Sequence, residues 1–316
     1  MISSPTVLVL GAGASIPYGF PSGFALREQI LDIHNDRDDV RKLAELGFDV
    51  GALGAFQRRF QASHLASIDL FLKQQPEYAP LGKLCIAACI GRVEAAFSRK
   101  FLDSSAVLSD WYPMLWNAIA DVPESEFLAN RLSIITFNYD RSLEIFLSFA
   151  YANTYNLNPS AARFKLAQTV EIVHVYGDLG DLLTATRDSL VEGTTFGVNE
   201  LRESLNSIRV IGDRVQANTK TQCGELMGAA DRVCYLGFGF APENCDAINA
   251  RLNKRTVPAR QLICGSAKGL LLGEQHAACA RCGTQYLTGK HPFENLATFV
   301  DTDCVAALKH FGILQP

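Results

Sequence analysis

Three residues near the ends of apolar runs have types and spacing suited to chemistry: Asn138 and Asp140 in TFNYD (136–140), and His174 in VEIVHVY (170–176). An imidazole with a reference pKa of about 6.5 can take a proton from water or a hydroxyl near neutral pH. Such general-base help is worth about 10² to 10⁴ in rate. The Asn138 amide donates and accepts without carrying charge. Asp140, two residues on, points to the same side if the strand geometry continues. A second constellation is GAGAS (11–15), reached from the apolar run TVLVL and followed by GFPSG (19–23). A buried strand that gives up its side chains at Gly11, Ala12, Gly13, Ala14 and Ser15 implies close approach of another backbone or a ligand. Gly11 and Gly13 suit a tight turn whose amides cradle a pyrophosphate at a helix N-terminus. Each candidate also has a plain structural reading. His174 could be a satisfied core histidine, Asn138 a strand-end turn residue, and Asp140 the N-cap of a helix in RSLEIFL. Asp69, in SIDLFL, reads as a helix cap or a surface group.

The elements that must position these residues are short runs rich in Val, Ile and Leu: TVLVL (6–10), LSIITF (132–137), VEIVHVY (170–176), RVCYLGF (232–238) and RQLIC (260–264), with ENLATFV (294–300) as a sixth. Runs without clean alternation are expected where helices cover both faces of a parallel sheet. The predicted class is therefore α/β, a Rossmann-like doubly wound parallel sheet with an inserted helical subdomain. The insertion is set at 24–130, because ALREQILDIH, DDVRKLAEL, SIDLFLKQ and KLCIAACIGRVEAAF carry apolar residues at three- and four-residue spacing, and a βαβ crossover needs only about a dozen residues. Residues 131–316 supply the remainder of the core, and 1–316 form a single domain. Leu182 to Lys220 reads as polar and irregular, either a flexible loop over a site or, preferred, a long surface connection. The first five runs end in GAGAS, in Asn138-Tyr139-Asp140, in Gly177-Asp178, in Gly237-Phe238-Gly239 and in Gly265-Ser266. Ligands of open α/β sheets bind beyond the carboxyl ends of strands, so these endings imply one shared pocket.

Several functions are disfavoured. A dehydrogenase fingerprint would put its third glycine at position 16, which is Ile16, and an acid about 20 residues on at the end of the next strand; here that strand begins near Leu132. A net charge of −4 offers no basic stripe for nucleic acid. No run reaches the roughly 18 apolar residues of a membrane span. Nine cysteines without a secretory leader suggest free thiols in a reducing cytoplasm. Cys279, Cys282 and His276 have partial zinc-ligand spacing, yet buried thiols are the default and no metal is expected. Cys85 and Cys89 read as core, and the Trp111–Trp116 region as packing within the insertion.

GAGAS, GFP, TFNYD, HVYG and GFG, in this order on successive strand ends, resemble the sirtuin fold, and more closely the sirtuin-like domain of bacterial antiphage proteins that hydrolyse NAD. Two departures from deacylating sirtuins matter. The Phe-Arg after the G-x-P step is replaced by GFPSGFALR, and only Cys223 and Cys234 lie between His174 and Gly237, so the four-cysteine zinc module is missing from that segment.

The resemblance implies NAD as substrate, with no metal, and cleavage to nicotinamide and ADP-ribose. Asn138 would orient the ribose or the attacking water, Asp140 would accept from the nicotinamide carboxamide, and His174 would act as base. Gly11, Ala12, Gly13 and Ser15 would contact the phosphates beside Pro21, and Gly237, Gly239 and Ser266 would line the adenosine side. It further implies a homo-oligomer, or activation by a partner such as a nucleic-acid-sensing ATPase or an Argonaute-type defence protein. An NAD-dependent deacylase or ADP-ribosyltransferase, and a non-catalytic NAD or ADP-ribose sensor, are the alternatives.

Overall fold

In the computed structural model, residues 1–102, 110–180, 196–211, 213, 215–250, 261–282, 285–286 and 296–315 are described. The strands are β1 (Thr6–Leu10), β2 (Leu132–Thr136), β3 (Glu171–His174), β4 (Arg232–Leu236), β5 (Leu262–Ser266), β6 (Gln285–Tyr286) and β7 (Leu296–Val300). They form one sheet in the order β3-β2-β1-β4-β5-β7-β6, and every neighbouring pair is parallel. This is the expected Rossmann-like doubly wound arrangement. Strand order reverses beside β1, whose register runs Thr6↔Leu132 on one side and Thr6↔Arg232 on the other. All five β1 residues are buried, as a strand covered on both faces requires.

The segment between β1 and β2 contains only helices among the described residues: α1 (Gly23–Asp32), α2 (Arg37–Glu45), α3 (Val50–Ala62), α4 (Ile68–Gln74), α5 (Ala79–Leu102) and α6 (Trp111–Ala120), with short 3₁₀ turns between them. Their starts follow capping chemistry. Asp36, Asp49 and Ser67 each accept from amides of the first turn of α2, α3 and α4. Cys85 and Cys89 of α5 are fully buried, as the periodicity predicts. The core continues through α7 (Ser142–Thr154), α8 (Pro159–Thr169), α9 (Val198–Ser207), α10 (Ala217–Ala229), α11 (Pro242–Ala247), α12 (Leu272–Arg281) and α13 (Cys304–His310).

Two expectations change. Leu182–Lys220 is not an irregular connection throughout: α9 occupies 198–207, α10 begins at Ala217, and 181–195 lie outside the described residues. Helix α9 buries only a narrow stripe, Leu201 and Ser204, so its sequence looks polar. The fifth strand sits two residues later than RQLIC suggests, at Leu262–Ser266. Gly265 is therefore inside the strand, where a Cβ would stand 2.3 Å from the Tyr235 carbonyl oxygen. The absent side chain there admits a neighbouring strand, and no ligand is needed to explain it.

Candidate functional site

The carboxyl rim is built around the turn after β1. Gly11 and Gly13 press against the turn after β4: a Cβ on Gly11 would lie 2.5 Å from the Gly237 carbonyl oxygen, and one on Gly13 would lie 2.7 Å from Gly237 Cα. Gly237 is in the left-handed region at φ 58°, and a Cβ on it would meet the Ala14 nitrogen at 2.1 Å. The Gly13 amide donates to the Gly237 carbonyl at 3.0 Å, and the Gly11 amide to that of Leu236 at 3.0 Å. Ser266 supports the seam by accepting from the Gly237 amide at 2.9 Å.

This arrangement corrects part of the phosphate-cradle expectation. The glycines are required by another backbone. Amides of Gly11, Gly13, Ala14 and Ser15 already donate to carbonyls of Leu236, Gly237, Gly11 and Ala12. Nor does the turn feed a long helix. It continues as two three-residue 3₁₀ turns, Ala12–Ala14 and Ile16–Tyr18, and α1 begins only at Gly23, where Ser22 caps it just after Pro21. Ala12 and Gly239 remain exposed on the rim, and nothing lies within 4 Å of a Cβ built on Gly239.

Beneath the turn, Ser15, Asn138 and Asp140 form one buried hydrogen-bonded chain. The Asn138 Nδ2 donates to the Gly11 carbonyl at 3.1 Å and to Ser15 Oγ at 2.9 Å. Ser15 Oγ donates to Asp140 Oδ1 at 3.3 Å. Asp140 Oδ1 also accepts from the Ser142 amide at 3.2 Å and from the Ser142 hydroxyl, which lies 2.6 Å from Tyr112 Oη. Asp140 is not the N-cap of α7, a position held by Arg141 without a side-chain cap bond; it stands one residue earlier and bonds the first helical residue, Ser142, while also joining the rim. Burial pushes its pKa up to about 6, against the hydrogen bonds from Ser142 and Ser15 that favour the anion. Beside the chain is a void of only about 10 Å³, room for about one water.

His174 reaches the same segment by a different atom. Its Nδ1 is 2.9 Å from the Asn138 carbonyl, and its Nε2 is 2.5 Å from Glu144 Oε1 on α7. The amide and the imidazole therefore belong to one network, but the Asn138 side chain turns toward Ser15 while the ring turns toward Glu144. Burial works against a charged ring, yet the Glu144 carboxylate prevails and raises the pKa to about 9. His174 is an imidazolium at neutral pH, donating through both nitrogens. The raised pKa stabilises the fold, fully below the unfolded value near 6.5, and that stabilisation is lost as pH rises through about 9. Replacing Glu144 by Gln is expected to return the ring toward its ordinary pKa and to remove the loss of stability between those values. Titration of the ring by NMR, with denaturation across the same pH range, measures both effects; an unmoved ring pKa would count against the pairing.

Glu144 escapes a sequence reading because an acid in the first turn of a helix is ordinary. Other missed supports come from the insertion. Glu94 of α5 accepts from the Arg141 backbone at 2.7 Å and from its guanidinium at 2.5 and 3.1 Å. The Trp111 indole nitrogen donates to the Ala14 carbonyl at 2.9 Å, and Tyr112 stacks on Tyr18 with ring centroids 3.7 Å apart. The predicted tryptophan packing thus includes a polar bond to the glycine turn. Asp69 is neither cap nor free surface group: Ser67 caps α4, and Asp69 Oδ1 lies 3.1 Å from the Tyr139 hydroxyl.

A cavity of about 310 Å³ lies behind His174, among Arg141, Glu144, Ser148, Arg163 and Asp178. A larger one, about 590 Å³, opens at the amino ends of β1 to β3 with Arg131 and Glu171 as its charged residues. The carboxyl rim holds the convergent polar groups and is the end where parallel sheets bind ligands, so the larger amino-end cavity is set aside as the site. Among the described residues no three His, Cys, Asp or Glu side chains form a metal-binding group, and no helix is long and apolar enough to cross a membrane. The nine cysteines are buried and outside any disulfide, and burial pushes Cys279 and Cys282 up to about 11 and about 12. No protein-family model and no curated protein matches the chain.

Proposed function

We propose that this protein is an NAD glycohydrolase that releases nicotinamide and ADP-ribose at the carboxyl rim of its sheet, as an NAD-depleting effector of bacterial antiphage defence under the control of self-association or a partner protein. The observation that carries the reading is the convergence of Ser15, Asn138 and Asp140, with His174 fastened to the Asn138 backbone, at the point where strand order reverses. The order of the motifs along the chain, shared with sirtuin-like NAD hydrolases, supports the same substrate.

Nicotinamide leaves as a neutral molecule from a cationic ring, so the reaction asks for a dry, oriented ribose more than for a strong acid. Asn138 is held by both hydrogens of its amide, which leaves Oδ1 as the polar atom that would meet a ribose hydroxyl or water. While paired with Glu144, the charged His174 holds Asn138 in place and accepts no proton. Asp140, with a pKa of about 6 and Ser15 on its carboxylate, is the better base near neutral pH. Phosphate contact falls to the exposed edge of the turn at Ala12 and to Gly239, because the inner amides are committed.

The test is direct. The full chain is incubated with NAD, at low and high protein concentration, and nicotinamide and ADP-ribose are quantified. Equal amounts of both products are expected, rising steeply with concentration if self-association activates. Saturable NAD binding without nicotinamide at any concentration would overturn activation by self-association, and the same result with candidate partner proteins added would favour the sensor reading and overturn hydrolysis itself.

A further inference from the structure

Asp69 and Tyr139 pose a problem of counting protons. The Tyr139 hydroxyl lies 2.8 Å from the Arg209 carbonyl oxygen and 3.1 Å from Asp69 Oδ1. Both neighbours are acceptors if Asp69 is ionised, and a phenol has one proton to give. The shorter contact takes it. A proton carried by Asp69 would then complete the longer contact. We propose that Asp69 is held as a neutral carboxylic acid that donates to Tyr139, and that it is a positioning residue for the Asn138–Asp140 segment.

Tyr139 is the residue between the two that bind Ser15, so its hydroxyl fixes the segment from the other side of the chain. Asp69 stands on α4, so the bond also joins the insertion to the rim, while Arg209 brings in the chain after α9. Burial raises the Asp69 pKa; the Tyr139 hydroxyl and the amides of Asp69 and Ile211 favour the anion and do not outweigh it. The titratable groups around the pair are Tyr176, Asp213 and Glu243. Asp213 is paired with Lys83 of α5 at 2.7 Å, and Glu243 of α11 lies 3.8 Å from Lys73 of α4. None of these cations bonds Asp69. When pH rises through the Asp69 pKa its proton goes to solvent, and Tyr139 can then serve only one of its two acceptors.

The proposal concerns the protonation of one side chain and stands apart from any turnover of NAD. It is tested on the full chain by infrared difference spectroscopy and thermal denaturation. Asp69→Asn keeps a donor toward Tyr139. It is expected to melt within about 2 °C of the unsubstituted protein at neutral pH and to flatten the part of the stability loss at higher pH that Asp69 causes. It should also remove one protonated-carboxyl band present at neutral pH. Asp69→Ala should melt several degrees lower, and most of that difference should vanish in a Tyr139→Phe background. An Asp69→Asn protein as destabilised as Asp69→Ala, or an unchanged carboxyl band, would overturn the assignment.

Discussion

Gly237→Ala is expected to cost about 4 kcal/mol or more and to leave little folded protein, whereas Gly239→Ala, two residues away, should stay within about 0.5 kcal/mol of the original. The contrast follows from geometry. A methyl at 237 would meet the Ala14 nitrogen at 2.1 Å and the Gly13 carbonyl carbon at 2.3 Å, on a residue already at φ 58°. Neither neighbour is a side-chain end that can swing aside. Both belong to the turn that Trp111 holds through the Ala14 carbonyl. Relief therefore requires moving β1 away from β4, at the centre of the sheet. Chemical denaturation of both variants decides the matter. A Gly237→Ala midpoint equal to that of Gly239→Ala would mean the seam is looser than described.

The second large effect is at Asn138. Replacing it by Ala removes both amide hydrogens and leaves the Gly11 carbonyl and Ser15 hydroxyl without that donor, at a cost of about 1–3 kcal/mol. Nicotinamide release should fall by about 10² to 10³ if the amide orders the ribose or the attacking water. Asn138→Asp is the sharper probe. It keeps the size but aims a carboxyl at the Gly11 carbonyl, with Asp140 close by through Ser15. Its activity should be as low as that of the Ala variant, and its stability should fall as pH rises and the new acid ionises. Full activity in Asn138→Ala, with folding verified, would remove Asn138 from the mechanism.

The legible parts of the sequence were those governed by burial. TVLVL is a strand at the same residues, 6–10, and the helices of the insertion follow its apolar spacing. The polar partnerships were harder to read. Gly11 and Gly13 announce close approach, but spacing alone does not distinguish a phosphate from the backbone of Gly237. Glu144 looks like any first-turn acid until β3 lays His174 across it. Asp69 looks like a cap because Ser67, two residues earlier, is one, and its partner Tyr139 lies far along the chain. Such pairings are properties of the assembled sheet, and no local pattern encodes them.

The placement of β1 has a consequence for how the molecule comes into being. This strand is made before either of its partners, for it pairs with β2 at Leu132 and with β4 at Arg232. A nascent chain must therefore keep an unpaired apolar segment soluble until both distant neighbours have been made. High contact order of this kind slows folding and lengthens exposure to aggregation.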